Sequence, residues 1–243
     1  MIGTTTHGDV AVLTLDHGPV NALDVELLRA LPGALAATGD APVVLTGAGR
    51  SFSAGVDLKR IVAGGAAYVE EFLPALSAAF LAVFDHPRPV VAAVNGHALA
   101  GGCVLAAACD LRFMSGGTIG LTELAAGVPF PTVAIEVMRH ATGPAADRLV
   151  LTAPRLDPAE ARRVGLVHEV VTEDLLAAAV ASAAKLAAVP AAVYALAKRQ
   201  LHAPAHERIA ARRDVDDQAV AALWAEPGTH ARLSGYLAEL SKR

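Results

Sequence analysis

The sequence predicts an α/β fold, and three observations lead to it. Up to Val94, short apolar runs of strand-like composition alternate with helix-like segments. The tandem glycines Gly101-Gly102 then feed an apolar block with no charge until Asp110, which reads as a tight turn opening a buried helix. From Asp174 onward the pattern is helical throughout.

Taken in order, Val10 to Leu15 (VAVLTL) reads as the first strand and His17-Gly18-Pro19 as a turn. Asn21 or Asp24 is placed to cap a helix through Ala37, with Val25, Leu27, Leu28, Leu31 and Leu35 on its apolar side. Pro42 to Thr46 is a short buried strand. Gly47 to Ser53 reads as a loop, and it lacks the GK[ST] ending of a phosphate loop. From Ser53 to Leu58 a backbone turn can expose the Val56 N–H, and Asp57 can cap the turn that follows. Lys59 and Arg60 read as surface cations. A helix from Tyr68 to Phe84 is broken by His86-Pro87-Arg88-Pro89, and a strand from Val90 to Val94 runs into Asn95-Gly96.

Past the buried helix, Asp110 ends the apolar block or pairs with Arg112. Leu111 to Met114 is a strand, Ser115-Gly116-Gly117 turns, and Thr118 to Gly120 returns. Thr122 can cap a short helix opened by Glu123 and ended at Gly127 to Pro131. Ile135 to His140 and Pro144 to Leu151 look helical, and Leu156 to Glu160 starts another helix. Gly165 to Val167 and Val170-Val171 read as short β pieces. The tail reads as helices over Leu175–Val189, Ala191–His202, His206–Trp224 and Thr229–Ser241, an apolar stripe with many charges that packs on another surface.

Composition narrows the function classes. With 243 residues and 54% hydrophobic content, the chain supports one large domain, or a domain with a smaller appendage. A formal net charge of −4 argues against a nucleic-acid partner. Cys103 and Cys109 have neither CxxC nor zinc-ribbon spacing and read as buried, reduced thiols of a cytoplasmic protein. The start, MIGTTTHGDVAVLTLD, lacks the basic start and apolar core of a signal peptide. No apolar run is long enough for a membrane partner to be expected. The absence of HExxH and of a carboxylate-rich loop leaves no metal expected, and the absence of GxSxG argues against a serine hydrolase.

Two features carry chemistry. The first N–H groups of the helix after Gly101-Gly102 have no intrahelical partner and lie at its positive dipole end, so they can hold an oxygen that becomes negative. Glu123 stands alone in an apolar neighbourhood. A donor turn and one isolated carboxylate are the parts needed to move a proton beside a carbonyl.

Longer motifs extend this reading. Phe52-Ser53-Ala54-Gly55-Val56-Asp57-Leu58 resembles the F-[SA]-A-G-x-D-[LI] motif of the crotonase (enoyl-CoA hydratase/isomerase) family. Pro89 to Gly96 through Ala100-Gly101-Gly102-Cys103 resembles that family's second signature, and Cys109-Asp110-Leu111-Arg112 its continuation. Leu151-Thr152 to Val171 is similar to a further segment. The resemblance covers essentially the whole chain. It implies a crotonase-like spiral of ββα units over residues 1–190. Residues 191–243 are then a helical region packing on the core or a neighbouring subunit. It also implies an acyl-CoA thioester as substrate, no separate cofactor, a place in fatty acid metabolism, and a homotrimer or dimer of trimers.

The resemblance assigns residues as well. The N–H groups of Val56 and Gly101 form the oxyanion hole, Glu123 is catalytic, and Ala54, Asp57, Lys59 and Val104 meet the substrate. Beyond the resemblance, the CoA phosphates call for cations at the entrance, and Lys59-Arg60, next to the oxyanion motif, or Lys198-Arg199, on a tail helix of the same or a neighbouring subunit, are the candidates. Hydratases of the family carry one glutamate directly after GGC and a second further on. Here the first position is Val104 and the second is Glu123. The chain is thus more similar to the single-glutamate Δ3,Δ2-enoyl-CoA isomerases. Pro19 to Leu23, the tail segment Arg213-Asp214-Val215-Asp216, and Pro129-Phe130-Pro131 in place of a glycine-rich turn agree with that. The expected activity is isomerisation of 3-enoyl-CoA to 2-enoyl-CoA. The alternatives are a hydratase or other crotonase-type lyase and, in a different class, a non-catalytic acyl-CoA binding protein.

Overall fold

Each turn of the chain gives one strand to a large sheet and the next to a small one. In the computed structural model, which describes residues 1–240, the large sheet has the order β1-β2-β3-β5-β7-β9. Its strands are β1 (Ile2–His7), β2 (Val10–Leu15), β3 (Val43–Gly47), β5 (Val90–Val94), β7 (Leu111–Met114) and β9 (Glu169–Val170). β1 runs antiparallel to β2, and the remaining neighbours are parallel. The small sheet is parallel in the order β4-β6-β8, from β4 (Ser51–Ser53), β6 (His97–Leu99) and β8 (Ile119–Gly120). A helix follows each small-sheet strand: α2 (Leu58–Phe84), α3 (Gly101–Ala107) and α4 (Glu123–Ala126). This is the expected spiral of ββα units.

The middle of the large sheet is buried on both faces, which is why β5 is apolar at every position. Val90, Ala92 and Val94 join the main core with α1 (Val25–Ala36), α2 and α3. Val91 and Ala93 point the other way, with Val10, Val12, Val44 and Phe113, against Ala179 and Ala183 of α8 (Leu175–Ala187). Asp24 caps α1 by accepting the Leu27 N–H at 2.9 Å. Leu27, Leu28, Leu31 and Leu35 are buried as the periodicity expects, each contributing about 1.5–3 kcal/mol of apolar burial.

The remaining helices are α5 (Thr132–Thr142), α6 (Ala146–Thr152), α7 (Pro158–Arg163), α9 (Ala191–Ala225) and α10 (Pro227–Leu240). Helices α9 and α10 fold back on their own chain. The Trp224 indole donates to the Pro129 carbonyl at 2.9 Å, and Asp217 accepts from both the main chain and the hydroxyl of Thr132 at 2.8 Å. Lys198 of α9 is buried 2.8 Å from Asp110, whose other oxygen accepts the Val90 N–H at 2.7 Å. Asp110 therefore does not pair with Arg112. The buried Arg112 guanidinium donates instead to the carbonyls of Leu166 and Cys109.

Several expectations are corrected. β1, β4 and β6 carry no strand signal long enough to stand out, and the span from Gly47 to Ser53 contains β4. α2 starts at Leu58, capped by Asp57, and breaks at Gly65, where φ is 61°. Gly165 to Val167 form no strand. α9 runs unbroken through Pro204. The His202 ring stacks on Phe84 at 3.6 Å between centroids, and Ala205 and Ile209 are buried. That packing offsets the roughly 3 kcal/mol an interior proline costs. α10 begins at Pro227, and Ser241, where its end was expected, lies outside the described residues. α2 has the length and mean hydropathy of a membrane span, but half of its most apolar window is buried inside this fold.

Candidate active site

The parallel small sheet brings the carboxyl ends of β4, β6 and β8 side by side. Beyond them lies a cavity of about 420 Å³. The loops leaving the three strands supply its floor: Ala54 to Lys59, Leu99-Ala100, and Thr122-Glu123. The carboxyl ends of parallel strands are where open α/β sheets place ligand sites.

The first two loops lock against each other through glycine. Gly55 has φ +92°, and a Cβ there would lie 2.6 Å from the Leu99 carbonyl oxygen. A Cβ on Gly102 would lie 2.4 Å from the Ser53 carbonyl oxygen. Only residues without a side chain permit both approaches. Between them, Ala100 adopts φ 50°, ψ −127° as the residue preceding α3. That backbone is strained for alanine and is held by the surrounding loops.

The result is a pair of available donors. The loop carrying Val56 is pinned by Leu23 N–H to Gly55 O at 2.8 Å and Asp57 N–H to Leu23 O at 2.9 Å. The Val56 N–H itself, and the Gly101 N–H in the first turn of α3, donate to no acceptor among the described residues. A side-chain methyl of Val56 would stand 3.4 Å from a Cβ placed on Gly101, so the two turns are in contact.

Glu123 sits at the end of β8, which is tied to β6 by Ala100 N–H to Gly120 O at 2.9 Å. On its other side β8 bridges Leu156 in both directions at 2.9 Å. The glutamate is 7% exposed, and its buried Oε2 has no hydrogen-bond partner among the described residues. Ala126, Val128 and Leu99 share the cavity wall with it. Burial pushes its pKa up to about 8, and the main-chain N–H groups of Glu123 and Thr122 pull it back only in part. Thr122 precedes α4 without a side-chain capping bond, so the expected cap is absent.

Of the residues expected to meet substrate, Ala54, Asp57 and Lys59 line the cavity. Asp57 is committed to capping α2, accepting from the Lys59 and Arg60 N–H groups at 3.0 and 3.1 Å. Lys59 is exposed and has no ion-pair partner among the described residues. Val104 differs from expectation: it is 0% exposed, packs in the apolar core and is not among the cavity-lining residues. Arg60 turns away to pair with Glu26 at 2.7 Å and Asp24 at 3.0 Å. Lys198 is held by Asp110, and Arg199 lies outside the cavity.

Sequence reasoning missed Arg155 and Tyr236, which also line the cavity. They reach it from the loop after α6 and from α10, so no local motif points to them. Ala100 gave no signal because its strained backbone is not written in its side chain.

Comparison with known proteins agrees with this fold. The family model described as enoyl-CoA hydratase/isomerase matches residues 5–239. A putative enoyl-CoA hydratase of Thermus thermophilus is 38% identical, with the match covering 67% of this chain and 68% of that protein. Human mitochondrial enoyl-CoA delta isomerase 1 is 29% identical, with the match covering 96% of this chain and 80% of that protein. The crystal structure of human mitochondrial delta3-delta2-enoyl-CoA isomerase superposes with a TM-score of 0.92 at 28% identity, covering 99% of this chain and 98% of that one.

Proposed function

Because the chain belongs to the enoyl-CoA hydratase/isomerase family, we propose that it converts 3-enoyl-CoA to 2-enoyl-CoA through one glutamate. Glu123, ionised, takes a proton from C2. The C–H electrons delocalise onto the thioester oxygen, and the N–H groups of Val56 and Gly101 hold the resulting charge. Glu123, now a carboxylic acid, returns the proton at C4. The double bond that joined C3 and C4 then joins C2 and C3, and the protein ends as it began. One carboxylate suffices because it serves first as base and then as acid, and a pKa near 8 suits both roles.

The observation that carries the reading is the carboxylate count in the cavity. Among the described residues its lining contains two carboxylates, Asp57 and Glu123, and Asp57 already caps α2. Hydration needs a water held between two acids, and the position after Gly-Gly-Cys is the apolar Val104. Hydratase activity is the second reading, favoured by the names of relatives such as the Thermus protein. The reading also includes self-association into trimers or dimers of trimers, supported by exposed Val193, Leu196 and Leu201 on α9.

The purified protein is to be offered 3-enoyl-CoA and 2-enoyl-CoA separately. Appearance of the conjugated thioester from the first, with slow loss of it from the second, is expected. Rapid hydration of 2-enoyl-CoA would favour the second reading. Binding without any turnover would favour an acyl-CoA binding protein.

A further inference from the structure

The sheet order gives the cavity a direction. From one edge to the other run the Pro19-Val20 loop, the end of β4 with Val56, the end of β6 with Gly101, the end of β8 with Glu123, and then the Leu156 segment. If Val56 and Gly101 hold the thioester oxygen, C1 lies between β4 and β6. C2 to C4 lie beside Glu123, one strand further. The sulfur and the CoA moiety then leave toward Pro19 and Lys59. The acyl chain beyond C4 leaves in the opposite sense, past β8. This orientation rests on the functional reading given above.

Two polar groups wait at that end, beside Leu237. Arg155 lies next to Leu156, the residue bridged to β8, and it lines the cavity. Its Nη2 donates to the Tyr236 hydroxyl at 3.4 Å, and it pairs with no carboxylate among the described residues. Tyr236, half-buried on α10, lines the cavity, and its hydroxyl donates to no acceptor among the described residues. A purely hydrocarbon tail has no use for a guanidinium and a phenol. A carboxylate does, because it can accept from both at once.

We propose that Arg155 and Tyr236 form a receptor for a carboxylate at the far end of the acyl chain, so that the substrate class includes 3-enoyl-CoA thioesters of dicarboxylic acids. The two cations that line the cavity among the described residues thereby divide the substrate, Lys59 facing the CoA phosphates and Arg155 the distal acyl group.

The test compares acyl-CoA pairs of equal chain length, one ending in a methyl group and one in a carboxylate. Binding of the saturated thioesters and turnover of the 3-enoyl thioesters are both measured, over a series of chain lengths. For the wild type, a preference of about threefold to tenfold for the carboxylate-ended chain is expected at the length that reaches Arg155, as suits a partly exposed ion pair with good geometry. Arg155→Gln should abolish the preference, Arg155→Glu should reverse it, and Arg155→Lys should keep part of it. A wild type that shows no preference at any length would overturn the proposal. So would Arg155→Gln weakening both chains in equal proportion, which would mark the arginine as a contact of CoA or of the cavity wall. Discrimination in binding without turnover would leave the carboxylate receptor standing and remove the isomerase reading together with the substrate class built on it. Turnover without discrimination would do the reverse.

Discussion

The Ser53 hydroxyl donates to the main-chain oxygen of Asn21 at 2.7 Å and so joins the loop before α1 to the loop that carries Val56. Asn21 is wholly buried, with φ 51°, and its amide donates to the carbonyls of Ala48 at 3.1 Å and Ser51 at 2.9 Å. Its side-chain oxygen accepts the His17 N–H at 3.0 Å. Asn21 is thus a clasp on the Val56 turn, while Asp24 caps the helix. Asn21→Ala removes the three side-chain bonds, leaving the Ser53 bond to its main-chain oxygen, and keeps a strained backbone, so a loss of about 2–4 kcal/mol is expected in denaturant unfolding. Stability within about 0.5 kcal/mol of wild type would contradict the clasp.

Glu123→Gln keeps the shape of the side chain but cannot cycle a proton. The loss in kcat is expected to be about 10²–10⁴-fold, with the affinity for a saturated acyl-CoA little changed. Turnover near that of wild type would remove Glu123 from the chemistry.

The buried position of Glu123 sets the pH response. The free protein must ionise it to accept the C2 proton, so kcat/KM is expected to rise with pH to a plateau through an apparent pKa near 8. Stability responds in the opposite sense. A carboxyl whose pKa is raised on folding, from 4.5 to about 8, favours the folded state at low pH. That contribution is lost as pH climbs through this window. Glu123→Gln should therefore gain stability relative to wild type above pH 8, on the order of a few kcal/mol, and gain little below pH 4. A flat activity profile between pH 6 and 9 would argue against the raised pKa.

Lys59 and Arg60 are neighbours in sequence with different duties. Lys59→Ala is expected to raise KM for acyl-CoA about twofold to tenfold, more at low salt, with kcat little altered. Arg60→Ala should lower stability instead, because the buried Asp24 loses a partner at 3.0 Å. If Arg60→Ala alone raises KM, the assignment of the two cations is inverted.

What was legible in the sequence was local. The glycine pair before an uncharged block, the capping Asp57 and the lone Glu123 carry their meaning in residue type and near neighbours, and they led to α3, to the turn that opens α2, and to the cavity. Strands of three residues such as β4 and β6 are too short to show a period. The Asp110–Lys198 pair spans 88 residues, and the Arg155–Tyr236 contact spans 81, so only folding brings them together. Pro204 misled because the packing of its neighbours outweighs its local preference. Val104 stands at the expected place in the motif, but the core encloses it.

That enclosure shapes another expectation. In the wild type, hydration of 2-enoyl-CoA should run far below isomerisation of 3-enoyl-CoA. Val104→Glu should raise the ratio of hydration to isomerisation by about tenfold or more, while burial of a carboxylate in the core lowers thermal stability by several kcal/mol. A destabilised variant with an unchanged ratio would mean that position 104 only packs the helix.

The central claim, that one carboxylate carries a proton from C2 to C4, is tested most directly by isotope transfer. A 3-enoyl-CoA deuterated at C2 is converted in ordinary water, and the 2-enoyl-CoA formed is examined by mass spectrometry and NMR. Because Glu123 is buried, with an oxygen shielded from solvent, the expected product carries deuterium at C4 beyond what solvent exchange supplies, and Glu123→Gln yields none. A C4 hydrogen drawn wholly from solvent, with 3-hydroxyacyl-CoA as the faster product, would contradict it.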